Sequence, residues 1–338
     1  MKIISALGLT LAMAFAAVGA AAAAPAAAKV CVFVPGVVAG SPTYEQLVSG
    51  ATRAVAEIPG ATIKVVEAGF DQSQWLDKLS ALAASGEFNL IVSSNPAIPD
   101  LAKQVADSFP SVRFFIADGW LPGNAHIHTV LYNQFEQGYI VGYLSGLVGL
   151  SKLPGVTGSH KAGLVAAQSY PTLDRFIEPG FEKGLKDADP AAVLETRQIG
   201  NWYDATKAAE LASSLFDSGS SVVLPIAGGA GQGVVSAAKS KGRYVVWFDG
   251  DGYGLAPGTV IGCAILRQDR LVYERVKAIL QGAQLYGRAD IVGIKDGYVD
   301  FDGSGAAYKA LPAGLRATFE ARMRMLHEGR LAFPVSGL

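Results

Sequence analysis

The sequence predicts an α/β protein built as two doubly wound parallel-sheet lobes, with a hinge and a ligand cleft between them. Three observations carry this. Short apolar runs, of the kind buried on both faces of a parallel sheet, alternate with amphipathic helical stretches along most of the chain. The alternation runs through once, passes a glycine-dotted helix and starts again. Several runs also deliver polar or glycine-rich residues to their C-terminal ends, the edge at which open parallel sheets bind ligands.

In order, residues 30–35 read as a strand and 44–57 as a helix with Leu47, Ala51, Ala54 and Val55 along one side. Strand 61–67, helix 74–84 and strand 90–93 follow, the last running into the Asn95-Pro96 break. Helix 99–108 and strand 112–117 complete the first series, which ends at Asp118. That order is the mark of a doubly wound sheet. Residues 133–150 form a helix carrying Gly138, Gly142, Gly146 and Gly149. Each mid-helix glycine is unfavourable by about 1 kcal/mol, so the repeat predicts a second backbone packed closely against it. The pattern then restarts with strand 161–166, helix 173–186, strand 193–199, helix 203–218, strand 222–226, helix 231–240 and strand 244–248. Strand 260–266, helix 271–281, a polar strand region at 291–302 and helix 314–328 close the chain. The second series already has its strands. The first lobe is therefore expected to comprise 24–135 with 265–338 returning to it, and the second lobe 136–264.

Residues 1–23 read as a secretory signal peptide. Lys2 precedes an uncharged apolar run to Ala24, whose alanines supply small-x-small cleavage sites. Cleavage directly before Pro25 is disfavoured, which places the cut after Ala23 or, alternatively, after Ala28. No cysteine stands there for lipidation, since the first is Cys31 inside an apolar strand. The mature chain is expected to be periplasmic, not membrane-inserted, and monomeric. Its roughly 310 residues suit two domains. A net charge of −1 without any Lys/Arg block argues against a nucleic-acid partner. Cys31 and Cys263 both lie in apolar strands, where cysteine serves as a small hydrophobe, although an oxidising compartment permits a bridge. Four histidines without ligand-like companions and no C-x-x-C give no metal site, and no cofactor is expected.

The chemistry concentrates in 218–267. Gly228, Gly229, Gly231 and Gly233 lie between a strand and a helix, in a spacing that matches neither the dinucleotide fingerprint nor the P-loop. They predict a close backbone approach to a neutral ligand or to the facing lobe, rather than a phosphate cradle. Asp249 and Asp251 end a strand, and the calcium-loop pattern fails at Tyr253 and Val260. A carboxylate there can accept hydrogen bonds from vicinal hydroxyls, which suits a ribose, or it can cap the next turn. Asp249 is read as ligand-facing and Asp251 as the cap. Asp300 and Asp302, before Gly303, read as a turn. Trp202 sits between strand and helix and suits stacking on a heterocycle, the alternative being packing beneath the crossover between lobes. Trp120 competes for the stacking role, and Trp75 reads as helix packing. With no nucleophile elbow, zinc motif or Cys–His pair the chain is not expected to be an enzyme; the remaining enzymatic reading is a hydrolase using Asp118 and Asp249.

Six pieces in order carry a resemblance: F-F-I-A-D at 114–118, N-Q-F-E-Q-G-Y-I-V-G-Y-L-S-G at 133–146, R-F-I-E-P-G-F-E-K-G at 175–184, G-N-W-Y-D-A-T-K-A-A-E-L-A at 200–212, P-I-A-G-G-A-G-Q-G-V at 225–234 and F-D-G-D at 248–251. Together they resemble the basic membrane protein family of ABC-transporter substrate-binding proteins, which includes purine nucleoside receptors. The resemblance implies a type I periplasmic-binding fold, a purine nucleoside or related base in the cleft, and an ABC permease as partner. It also implies a base stacked between one aromatic from each lobe, here Tyr44 and Trp202, and a ribose held by a carboxylate and a cation, here Asp249 and Arg267. With Asn95, Asp118 and Gly228 these form the expected ligand-binding set. P-T-Y-E at 42–45 replaces the family's S-F-N, and Gly252 stands where glutamine is usual. A free nucleobase or flavin as ligand, and a ligand-sensing role beside a membrane receptor, are the alternatives.

Overall fold

The computed structural model describes residues 28–335 and Leu338; the predicted signal peptide lies outside the described residues. In chain order the strands are β1 (Lys29–Val34), β2 (Thr62–Glu67), β3 (Leu90–Ser94), β4 (Arg113–Ala117), β5 (Ile127–Tyr132), β6 (Lys161–Ala166), β7 (Val193–Gln198), β8 (Val222–Ile226), β9 (Tyr244–Asp249), β10 (Val260–Leu266), β11 (Ala289–Val292) and β12 (Val299–Asp302). The helices are α1 (Pro42–Ala56), α2 (Trp75–Ala84), α3 (Ile98–Ser108), α4 (Gln134–Gly149), α5 (Glu178–Ala188), α6 (Ala205–Asp217), α7 (Gly231–Lys241), α8 (Gln268–Leu280), α9 (Ala306–Lys309) and α10 (Ala313–His327).

Two six-stranded sheets result, ordered β11-β5-β4-β3-β1-β2 and β12-β10-β9-β8-β6-β7. The orders correspond strand for strand, so β1 matches β6, β2 matches β7, β3 matches β8, β4 matches β9 and β5 matches β10. The far edges differ: β11 runs parallel to β5, whereas β12 runs antiparallel to β10. Strands β1, β3, β5 and β8 are buried almost throughout, while the edge strands β2 and β7 are half exposed. Burial on both faces is what turned the central strands into unbroken apolar runs.

The chain passes between the sheets three times among the described residues, at β5–α4, β10–α8 and β11–β12. These crossings are bonded to one another. The Asn133 amide donates to the Val292 carbonyl at 2.8 Å, and the Arg267 amide to the Tyr298 carbonyl at 2.9 Å. The expectation that 265–338 returns to the first lobe is corrected here. Only α8, packed on α1, and β11 do so. Strand β12 goes back to the second sheet and takes α10 with it, because Phe319 of α10 packs edge-on against Phe301 of β12 with centroids 4.6 Å apart. The polar region 291–302 is thus two edge strands of different lobes rather than one.

The glycine-dotted helix is α4, and its partner is α5. A Cβ on Gly138 or Gly142 would collide with the carbonyls of Ile177 or Phe181, and one on Gly180 or Gly184 with those of Phe135 or Tyr139. Both backbones supply the clearance. Cys31 and Cys263 lie in separate hydrophobic clusters behind different sheets; both are buried and free, and burial pushes each thiol up to about 12. Among the described residues, no helix is long and apolar enough to cross a membrane.

Candidate functional site

The C-terminal ends of the central strands face each other across the hinge. After β1, the Tyr44 hydroxyl donates to the Pro35 carbonyl at 3.0 Å and receives the Asn95 amide, from the end of β3, at 3.4 Å. Burial raises the Tyr44 pKa, and the charge of Asp118 adds to it. After β7, Trp202 lies against Gly228, where a Cβ would stand 3.3 Å from the indole; Gly228 has φ +53, and the Trp202 carbonyl accepts from Ala230 at 3.1 Å. The Trp202 ring keeps 40 % of its residue surface exposed and tilts at 53° to Tyr170, with centroids 5.8 Å apart. Gly250 of the second lobe comes within 3.5 Å of Pro42 of the first, measured from the Cβ it would carry, so the two rims are close.

Asp118 and Asp249 occupy the middle of the floor, each at the end of a matched strand. They hold left-handed backbone at φ 52 and 68, shared among the described non-glycine residues only by His160. Such conformations are uncommon outside glycine and concentrate where a binding site over-determines them. Asp249 Oδ1 accepts from Gln137 Nε2 at 3.0 Å. Asp118 Oδ1 is buried with no hydrogen-bond partner among the described residues. Burial pushes Asp118 up to about 7, with the charge of Asp249 adding to it. Burial likewise pushes Asp249 up to about 6, against the opposing hydrogen bond from Gln137. Tyr170 is raised by burial and then by both carboxylates, which places it at the same floor.

An aromatic and a carboxylate from each lobe thus stand at the strand ends, Tyr44 with Asp118 and Trp202 with Asp249. The sequence profile of the PnrA-like ABC transporter substrate-binding proteins matches residues 27–315. The chain belongs to that family. An ABC transporter nucleoside-binding protein, BmpA, of Lactococcus lactis is 26% identical over 153 residues, 45% of this chain and 41% of that protein. A CD4+ T-cell-stimulating antigen of Listeria monocytogenes is 28% identical over 158 residues, 47% of this chain and 42% of that one. The chain thus matches less than half the length of these two relatives. A solved ABC transporter solute-binding protein of Aeropyrum pernix shares the fold, with a TM-score of 0.78 at 19% identity over 91% of this chain and 93% of that one. The architecture is the type I periplasmic-binding fold, and the family is one of substrate-binding proteins.

In this PnrA-like protein, six of the seven predicted ligand-binding residues converge: Tyr44, Asn95, Asp118, Trp202, Gly228 and Asp249. Arg267 does not join them. Its guanidinium pairs with Asp300 Oδ2 at 3.0 Å, and His327 Nε2 meets the other oxygen at 3.0 Å. Asp300 is correspondingly a strand residue of β12, opposite Ile265 of β10, and not part of a turn. Asp251 is exposed and accepts from the Tyr253 amide at 2.9 Å, the cap role. The glycine loop approaches its own lobe: Gly228 lies under Trp202, and Gly233 clears the Ala205 carbonyl at the α6–α7 contact.

Sequence reasoning assigned no role to Gln137, Tyr170 or Gln268. Tyr170 follows the end of β6 and was open to the same strand-end rule that found Asp118. Gln268 follows the crossing out of β10 and is fully buried. Its Nε2 donates to the Thr43 carbonyl at 2.7 Å, and its Oε1 accepts from Ser94 at 2.9 Å and Tyr132 at 3.3 Å. It fixes the start of α1, and hence Tyr44, to the hinge.

Proposed function

We propose that this protein binds a purine nucleoside or related base between its lobes and hands it to an ABC importer without chemical change. The single observation behind this is the convergence of aromatics and carboxylates from both lobes on one cleft. Trp202 and Tyr44 suit the two faces of a planar heterocycle, and stacking adds about 0.5–1.5 kcal/mol beyond burial. Asp249, already oriented by Gln137, suits the hydroxyls of an attached sugar. The nucleoside-binding description of the Lactococcus relative points the same way. The apolar run after Lys2 supports export to the periplasm.

Mass spectrometry of the native protein should find a purine compound co-purifying with it. Calorimetry against nucleosides, free bases and flavins should give micromolar or tighter affinity for one class. Absence of binding to all of them would overturn the ligand class, and conversion of a bound nucleoside would overturn transport without chemistry.

A further inference from the structure

The floor of the cleft is rich in hydrogen-bond acceptors, with the Tyr170 hydroxyl beside them. Gln137 projects from the first turn of α4 and is fully buried. Its Nε2 donates to Asp249 Oδ1 at 3.0 Å and to the Ala264 carbonyl at 3.3 Å. Both partners accept only, which fixes the orientation of the amide. Gln137 Oε1 is thereby left buried beside Asp249, with no donor among the described residues. Asp118 Oδ1, from the other lobe, is buried and equally without a donor. Two orphaned acceptors thus belong to the surroundings of Asp249, one on the side chain bonded to it and one on the carboxylate its charge acts upon, and each unsatisfied group is unfavourable.

The charge is uncompensated as well. Arg267, the cation that the family resemblance implied for holding a ribose, is engaged by Asp300. Among the described residues, neither Asp118 nor Asp249 forms an ion pair, and Gln137 is the side chain that bonds Asp249. Neutral hydroxyls could satisfy the acceptors, but above the raised pKa of Asp118 they would leave two carboxylates facing each other as the lobes close and water leaves. A cationic donor satisfies the hydrogen bonds and the charge together.

We propose that the floor formed by Asp118, Asp249 and Gln137 receives a protonated nitrogen of the cargo, of ammonium or amidinium type. This rests on the cleft being the cargo site, as proposed above, and narrows the cargo to a compound that carries a cationic group as well as a stacking face.

Two matched pairs test it by calorimetry on the mature protein at neutral pH: adenosine against 3′-amino-3′-deoxyadenosine, and benzamide against benzamidine. The amino nucleoside should bind at least about tenfold more tightly than adenosine, and Asp118→Asn should cut that advantage to about twofold or less. Adenosine binding as tightly as its amino analogue would overturn the cationic floor and leave the nucleoside reading standing. If neither nucleoside binds and benzamidine binds in preference to benzamide, the nucleoside reading fails and the floor stands. An advantage undiminished in Asp118→Asn removes Asp118 from the assignment, and binding of none of the four compounds overturns both proposals.

Discussion

The two lobes present corresponding strand ends to the cleft, and they use them differently. Tyr44 follows β1 where Tyr170 follows β6, Phe70 follows β2 where Trp202 follows β7, Asn95 follows β3 where Gly228 follows β8, and Asp118 directly follows β4 where Asp249 ends β9. In the first lobe the aromatic near the floor is tied down, with Tyr44 bonded to Pro35 and Asn95, and the outer one is loose, with Phe70 70 % exposed. In the second lobe the outer aromatic is the supported one, since Trp202 rests on the Gly228 loop and against Tyr170. The aspartates differ in the same sense. Asp249 is oriented by Gln137, whereas Asp118 Oδ1 has no partner. The second lobe is the more pre-organised half, and pre-organisation lowers what binding must spend on ordering.

The largest break in this comparison should come at the aspartates. Asp249→Ala removes the proposed ligand contact and leaves Gln137 Nε2 with the Ala264 carbonyl alone, so nucleoside affinity should fall about 100-fold, while Asp118→Ala should weaken it only about tenfold. Calorimetry on both variants checks this, and equal losses would mean the halves are equally organised. Free bases should lose far less affinity than nucleosides in Asp249→Ala if the carboxylate holds a sugar.

A smaller contrast is expected between the outer aromatics. Trp202→Ala should weaken binding about tenfold and Phe70→Ala about twofold or less, because the supported ring loses a pre-formed stacking face. A loss at Phe70 matching that at Trp202 would place the heterocycle on the first lobe's rim.

The smallest effect concerns stability without ligand. Asp118 is held at about 7, above its ordinary carboxylate value, so the folded state binds a proton more readily than the unfolded chain does. Its protonated form suits the fold below the unfolded pKa. The penalty for burying the charge then grows as pH rises toward 7 and is complete above it. Asp118→Asn should raise the Tm of the ligand-free protein by about 2–4 °C at pH 8, and the gain should vanish near pH 4. A gain independent of pH would assign it to packing instead of charge.

The alternation of strands and helices was legible because each central strand is apolar on both faces and each intervening helix on one. Strand β5 was missed: I-H-T-V-L-Y carries His128 and Thr129, which are buried but polar and break the apolar run. Edge strands β11 and β12 are short and polar, and composition does not say which sheet such a strand joins. The same blindness misplaced Arg267, since its engagement depends on β12 laying Asp300 beside the end of β10. Asp118, Asp249 and Trp202 were readable from position alone, because strand ends and strand–helix loops face the cleft in this architecture. Gln137 was not: it sits on a helix with no polar face, and its role appears only once α4 is seen to abut β9 and β10.

The three bonded crossings act as a leaf hinge does in a door. Segments lying side by side and linked through Asn133–Val292 and Arg267–Tyr298 bend together about one axis, and they resist twist and sideways slip. Closure about these crossings is expected to follow one coordinate, which would bring the two walls together in a fixed register. A chain that crossed once could shut at many angles, and each wrong angle would compete with the productive one.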